Sequence, residues 1–353
     1  MQNEKKPGRL VALDYLRGYF MLVIIIDHLY RWPSALSILT GQSLLWFNAA
    51  DGFVIISGLM IGYVRGYKGM KLPMRSITGK LWRRAALLYL WLIIATVFYT
   101  GFAWLFPTSA PLPYIPIANG EWLTLVQQIV TLQYAHVWVN FLYLYTIFLA
   151  IAPLAIWLLR KNLAWMVAII SVTGYLIGDV ENIKWLQWQI LFFLPVIAGF
   201  YLEAIRSWWR AKPARRHYLT ITILSSTATI IIVSALLHFA LPATPTVNAI
   251  NTYFSKDHIQ IGSILAPFIV FGGLVILFNK LEPFLERKLT WLLLPFGTQS
   301  LTVYIVHGVL LILITYTVPV SESIIVNTLS GIAAVMGTWG LLKLPWVQRF
   351  IPR

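Results

Sequence analysis

Apolar residues run through this chain in stretches long enough to cross a bilayer, separated by short polar segments rich in Lys and Arg. A crossing helix needs roughly 20 predominantly apolar residues. Such runs fall near 10–30, 44–64, 82–106, 138–159, 163–178, 187–205, 218–241, 260–279, 298–318 and 323–342. The pattern predicts an all-α membrane protein, a bundle of about ten transmembrane helices, with residues 1–353 forming a single transmembrane domain. The segments Trp122–Tyr134 and Trp291–Phe296 are apolar but short, and read as interfacial or re-entrant. Between 106 and 137, Pro107, Pro111, Pro113 and Pro116 exclude helix and predict an ordered cap or lid. The chain has neither a hydropathy pattern shared between halves nor paired Gly/Pro-broken helices, which are the signs of a repeat-built transporter.

Composition agrees with this reading. Of the 353 residues, 59% are hydrophobic and 11% charged, with a mean hydropathy of +0.75; soluble domains have roughly 45–50% and 25%. The net charge of +15 does not point to nucleic acid, because that footprint needs a basic face on a folded soluble domain. Here the charge sorts by loop, which sets orientation. One side receives Lys5, Lys6, Arg9, the run from Arg65 to Arg84, Arg160, Lys161, Arg206, Arg210, Lys212, Arg215, Arg216, Lys280, Arg287, Lys288, Lys343, Arg349 and Arg353. The other keeps Arg31, Lys184 and Lys256. The richer side is predicted to be cytoplasmic, with both termini on it. An even number of spans satisfies this alternation without contradiction. Lys5, Lys6 and Arg9 before an apolar run imitate a signal peptide, but Asp14 and Arg17 interrupt the run and no small-residue cleavage site follows, so the segment reads as a retained first span. With no cysteine, disulfides, thiolate chemistry and zinc-cysteine sites are excluded.

Ionisable groups within a span are unfavourable in lipid and so mark candidate functional positions. The first span carries Asp14, Arg17, Asp27 and His28. The eleven-residue step from Arg17 to His28 turns three full circles plus about 20°, placing both on one face about 16 Å apart along the axis. Each group also has a structural reading. Asp14 and Arg17 are spaced for an i,i+3 ion pair, and Asp27 and Arg31 for an i,i+4 pair. Arg17 can snorkel, and an interfacial histidine is often simply hydrogen-bonded. Ser57 and Ser300 lack a nucleophile elbow and read as helix-packing residues. His136, His217, His238 and His258 lie in loops or at span ends without ligand spacing, so no metal is predicted.

The stretch Leu13-Asp14-Tyr15-Leu16-Arg17-Gly18, with His28 after ten further residues, resembles the Arg-ten-residues-His signature of the acyltransferase-3 superfamily. Asn48-Ala49-Ala50-Asp51-Gly52-Phe53-Val54-Ile55-Ile56-Ser57-Gly58 resembles its second-helix motif, although Gly52 stands where a larger residue is expected. Gly297-Thr298-Gln299-Ser300-Leu301-Thr302-Val303-Tyr304-Ile305-Val306-His307 resembles its late Ser-x-x-x-Tyr-x-x-His element. The nearest likeness is to the OpgC branch, named for succinylation of periplasmic glucans. It rests on Ala49-Ala50-Asp51, on Leu132-Gln133-Tyr134 ahead of Leu142-Tyr143-Leu144-Tyr145, and on Trp188-Gln189.

The resemblance implies a multi-pass acyltransferase of the bacterial inner membrane. Acetyl or succinyl would pass from cytoplasmic acyl-CoA, a donor substrate and not a bound cofactor, to an extracytoplasmic carbohydrate or glycolipid. Such transfer needs a base for the hydroxyl proton and a donor for the oxyanion. His28, near the outer end of the first span, suits the base. Asp51, about 10 Å into the second span, would orient its imidazole. Arg17 would meet the donor's diphosphate. His307 and Tyr304 would line the same cavity, with Asp14 and Asp27 completing the substrate-binding set. The seven positive charges from Arg65 to Arg84, unaccompanied by any acid, serve topology and anionic lipid, or clamp coenzyme A phosphates. The rival class is a proton-coupled or anion transporter built on the same Arg, His and Asp groups.

Overall fold

A computed structural model describes residues 10–106, 113–256 and 259–351. Lys5, Lys6, Arg9, Pro107, Pro111, His258 and Arg353, which entered the expectations above, lie outside them. Among the described residues every regular element is helical. The principal helices are α1 (Val11–Leu29), α2 (Ala49–Met60, continued by π-helical turns over Ile61–Tyr67), α3 (Met74–Leu105), α4 (Phe141–Arg160), α5 (Ala164–Val180) and α6 (Ile190–Phe200, preceded by Lys184–Trp188). They continue with α7 (Leu202–Arg210), α8 (Pro213–Ala235, extended by Leu236–Ala240), α9 (Gly262–Lys288), α10 (Thr290–Thr298), α11 (Ser300–Thr317) and α12 (Ile324–Leu341).

Among the described residues, seven helices are long and apolar enough to cross a membrane, or eight when the bent pair Lys184–Phe200 and Leu202–Arg210 counts as one span. Two expected spans coincide with helices outside that set, for different reasons. α1 is charged at Asp14, Arg17 and Asp27, and α5 has only 17 residues. The run expected as one span over 187–205 bends by 65° between α6 and α7. Trp122–Val130 forms a nine-residue helix in the proline-containing loop, burying Leu125 and Ile129 beside Trp104 and Ile117. Of the four prolines, Pro113 and Pro116 are described and stand outside that helix, so the loop as a whole is not free of helix. Trp291–Phe296 falls in α10, which is too short at nine residues to span a bilayer.

α1 is the central helix. Thirteen of its 19 residues are buried, as expected of a helix that is apolar nearly all round. It packs against α2, α9, α10, α11 and α12. Lipid is as apolar as leucine, so helices in a membrane associate through close packing, which small residues permit. At the crossing of α1 and α10, a Cβ on Gly18 would strike the Leu293 carbonyl, and one on Gly297 the Asp14 carbonyl. These two glycines let the backbones touch and hold the first turns of α1 against α10. α8 is peripheral, with only Thr227 and Ser234 buried over Pro213–Ala235.

Polar contacts tie the helix ends into two sets. At one end, Arg160 donates to the carbonyls of Gly69 and Leu72, the Tyr63 hydroxyl to Glu203, and the Trp339 indole to the Trp291 carbonyl. At the other, Arg31 donates to the carbonyls of Val318 and Pro319, Asn327 to that of Pro33, and the Trp46 indole to Asn251.

Candidate active site

His28 closes the last turn of α1 and is half-buried. Its Nδ1 lies 3.0 Å from Nε2 of His307, a fully buried residue in the middle of α11. The two residues are 279 apart in sequence. The crossing of α1 and α11 brings them together. The Trp138 indole donates to the His28 carbonyl at 3.2 Å, fastening the loop before α4 to the end of α1. The ring of Tyr304, one turn before His307, lies 5.5 Å from the His307 ring and 6.3 Å from that of His28, centroid to centroid. Its hydroxyl accepts the Phe141 N–H at 3.4 Å.

Tyr304 also lines a narrow cleft of about 20 Å³ together with Arg17 of α1, Arg84 of α3, Phe53, Tyr145 and Ser300. Two guanidinium groups thus enter one cleft and no carboxylate lines it. Arg17 sits 5.8 Å from the Phe53 ring centroid, and its Nε has no hydrogen-bond partner. A cleft with this lining is suited to an anion, since guanidinium offers a planar fork of donors to phosphate or carboxylate. Tyr304 connects it to the two imidazoles.

The remaining expected site residues fall elsewhere. Asp51 was expected to orient the imidazole of His28, but no hydrogen bond between them occurs among the described residues. Its carboxylate is fully buried and pairs with Lys256 Nζ at 2.7 Å. The cause is local. Asn48 and Asp51 form a reciprocal capping box at the start of α2, with Asp51 accepting the Asn48 N–H at 3.0 Å, and this turns the carboxylate back to the helix terminus. The partner of His28 is His307. The unexpected Gly52 has a reason too, because the Phe20 ring of α1 occupies the space a side chain there would need.

Asp27 is buried and accepts the Ser43 hydroxyl at 2.6 Å. It does not pair with Arg31, whose guanidinium donates to the carbonyls of Val318 and Pro319 at 2.6 and 2.8 Å. Asp14, in the first turn of α1, presents its carbonyl to Gly297 and is not part of the cleft lining.

Sequence reasoning left out two residues of this region. Arg84 belonged to a basic run whose charge blended into the topological pattern. Only its place beside Arg17 in the lining of one cleft singles it out. His136, in the loop before α4, is 2% exposed and packs against the rings of Tyr99 and Trp138. Its Nδ1 accepts the Trp138 N–H at 3.3 Å, and burial, followed by the nearby His307, pushes its pKa down to about 4. Its position two residues after Leu132-Gln133-Tyr134 was the available signal.

A family model described as the OpgC protein matches residues 9–349, nearly the whole chain. The chain belongs to the OpgC family. No curated protein and no solved structure matches it. OpgC membership implies a membrane acyltransferase of glucan modification. In this OpgC-family chain, the first, second and late motifs of the sequence thus lie on α1, α2 and α11, helices that pack on or near one another around the His28–His307 pair.

Proposed function

We propose that this OpgC-family protein is an O-acyltransferase of the bacterial inner membrane. It moves a short acyl group, acetyl or succinyl, from cytoplasmic acyl-CoA to an extracytoplasmic carbohydrate or glycolipid. The observation that carries this reading is the imidazole pair, one ring buried and one half-buried, connected through Tyr304 to a cleft with two guanidinium groups. In this reading the chain crosses the membrane ten times with both ends cytoplasmic. The gathering of Arg160, the Gly69–Leu72 turn, Glu203 and Trp291 at one end of the bundle supports it.

The chemistry follows from the partners of each ring nitrogen. His307 Nε2 faces His28 Nδ1, and His307 Nδ1 is buried without a hydrogen-bond partner. With the His307 proton on Nδ1, Nε2 is an acceptor and His28 Nδ1 its donor, the tautomer that the proposed reaction uses. The lone pair of His28 Nε2 is then free. It takes the proton of the acceptor hydroxyl as that oxygen attacks the thioester carbon. The Tyr304 hydroxyl, which accepts from Phe141, keeps its own proton to donate to the developing oxyanion. Collapse of the tetrahedral intermediate breaks the carbon–sulfur bond, and the departing thiolate receives the proton from His28. While protonated, His28 is stabilised by the bond to His307 Nε2. Arg17 and Arg84 hold the anionic part of the donor. Arg17 lies about 16 Å before His28 along α1, a separation that a phosphopantetheine arm spans.

The test is transfer of a labelled acyl group from acyl-CoA to periplasmic glucan in membrane vesicles. His28→Ala should lower the rate by about 10²–10⁴, the range for a positioned general base, with insertion and thermal stability kept. A variant that transfers at the wild-type rate overturns the assignment. Uptake of the acceptor into proteoliposomes without an acyl donor would instead establish a carrier. Cysteine introduced at Met70, in this cysteine-free chain, should resist an outside-only thiol reagent if the proposed orientation holds.

A further inference from the structure

An amphipathic helix begins where the α6 span ends. α7 departs from α6 at 65° and buries none of its residues. Ile205 and Trp208 are 42% and 51% exposed. Along α7 and the start of α8 stand Arg206, Arg210, Lys212, Arg215 and Arg216. The one acid among them, Glu203, is already engaged, accepting the Tyr63 hydroxyl at 2.7 Å and pairing with Arg206 at 3.3 Å. Arg210, Lys212, Arg215 and Arg216 have no acidic partner among the described residues. Arg215 is held in place: its guanidinium lies 3.9 Å over the Trp208 ring and donates to the Trp208 carbonyl, while its Nε is unpartnered.

The rule that cytoplasmic loops are basic accounts for the charge alone. It does not account for a helix turned across the span direction, with an apolar edge left open beside four cations. That combination is how a helix lies in the headgroup region of a bilayer, its apolar edge among the upper acyl chains and its cations at the phosphates. We propose that the elbow between α7 and α8 binds the headgroup of an anionic phospholipid of the cytoplasmic leaflet, with Arg210, Lys212, Arg215 and Arg216 at its phosphate and Ile205 and Trp208 against its upper chains. Stacking on Trp208 fixes the Arg215 guanidinium plane before the lipid arrives, so its donors meet the phosphate with little loss of freedom. The Glu203–Tyr63 bond fastens this elbow to the π-helical end of α2.

The experiment is a thermal-shift titration of the purified full-length protein in neutral detergent with short-chain phosphatidylglycerol, and separately with phosphatidylcholine. Wild type should be stabilised by phosphatidylglycerol at concentrations where phosphatidylcholine has no effect. Basic groups near an anionic surface contribute roughly fivefold each to binding. The triple variant Arg210→Gln/Lys212→Gln/Arg215→Gln should therefore weaken phosphatidylglycerol binding about a hundredfold. A second triple variant, Lys280→Gln/Arg287→Gln/Lys288→Gln, removes the same charge from the C-terminal part of α9 and should bind as wild type does. Trp208→Ala should weaken binding without changing net charge. Equal loss in both triple variants, or no headgroup preference in wild type, overturns the proposal. An equal shift from soluble glycerol phosphate would assign the elbow to a soluble anion and likewise overturn it. Acyl transfer is not read in this titration, so its outcome is independent of the proposed reaction.

Discussion

His307→Phe is the most informative single change. The residue is fully buried, and its Nε2 lies 3.0 Å from His28 Nδ1. Phenylalanine keeps a flat ring in the same apolar surroundings and removes the acceptor. In the resting enzyme the lost bond joins neutral groups. In the transition state His28 becomes cationic and the same bond is charge-assisted. A hydrogen bond between neutral groups contributes about 0.5–1.5 kcal/mol and one to a charged group about 1.5–3 kcal/mol. The difference falls on the transition state, where about 1.4 kcal/mol is tenfold in rate. The expected result is a fall in kcat of about tenfold, with KM for acyl-CoA nearly unchanged, because the cleft of Arg17 and Arg84 is untouched. His307→Gln, which offers an amide oxygen as acceptor, should recover part of the loss. The assay is initial-rate acyl transfer with saturating glucan and varied acyl-CoA, together with thermal unfolding of each variant. A His307→Phe enzyme that keeps wild-type kcat would refute the tautomer argument. So would a loss that appears wholly in KM.

Arg84→Gln should raise KM for acyl-CoA about tenfold with kcat less affected, since it removes one charge-assisted donor from the cleft; a change confined to kcat would place Arg84 outside donor binding. Asp51→Asn and Lys256→Gln should each destabilise by about 3–5 kcal/mol, because either leaves the other charge buried without its partner. Thermal unfolding checks this, and a stable Asp51→Asn protein with lost kcat would restore the orienting role. His136 supplies a pH dependence. Burial holds its folded pKa at about 4, below the ordinary imidazole value of 6.5, so the unfolded chain binds the proton first and stability falls as pH drops from about 6.5 to 4. The loss amounts to roughly 3 kcal/mol, to be measured by unfolding across that range, and His136→Gln should flatten it. Gly297→Leu should destabilise by about 1–3 kcal/mol or prevent accumulation in the membrane, because the new side chain meets the Asp14 backbone and not a movable side chain. Normal thermal stability of that variant would contradict the close crossing of α1 and α10.

Much of the architecture was written in one dimension. Apolar runs of bilayer length and the sorting of Lys and Arg by loop are local properties, so helix content and the list of candidate spans follow from the chain alone. So does the face shared by Arg17 and His28, because helical periodicity relates residues within one helix. The 65° bend after Phe200 was less legible. The run 187–205 is apolar through Phe200, and only the arginine-rich residues beyond it mark the change to an interfacial helix.

Contacts between helices were decided elsewhere. The Arg-ten-residues-His spacing singles out His28 and the late motif singles out His307, yet nothing in either stretch says that their ring nitrogens meet. That depends on how α1 and α11 pack, which Gly18 and Gly297 govern by setting how closely α1 approaches α10. The partner of Asp51 was hidden for the same reason. Charge type makes it a candidate for any cation or imidazole nearby, while the capping box with Asn48 and the course of the 241–256 segment select Lys256. Along one helix, distance is fixed by rise and turn. Between helices it is set by whichever side chains are small enough to let two backbones approach, so the sequence by itself determined the all-helical, apolar character and the candidate residues, and tertiary packing decided which candidates became partners.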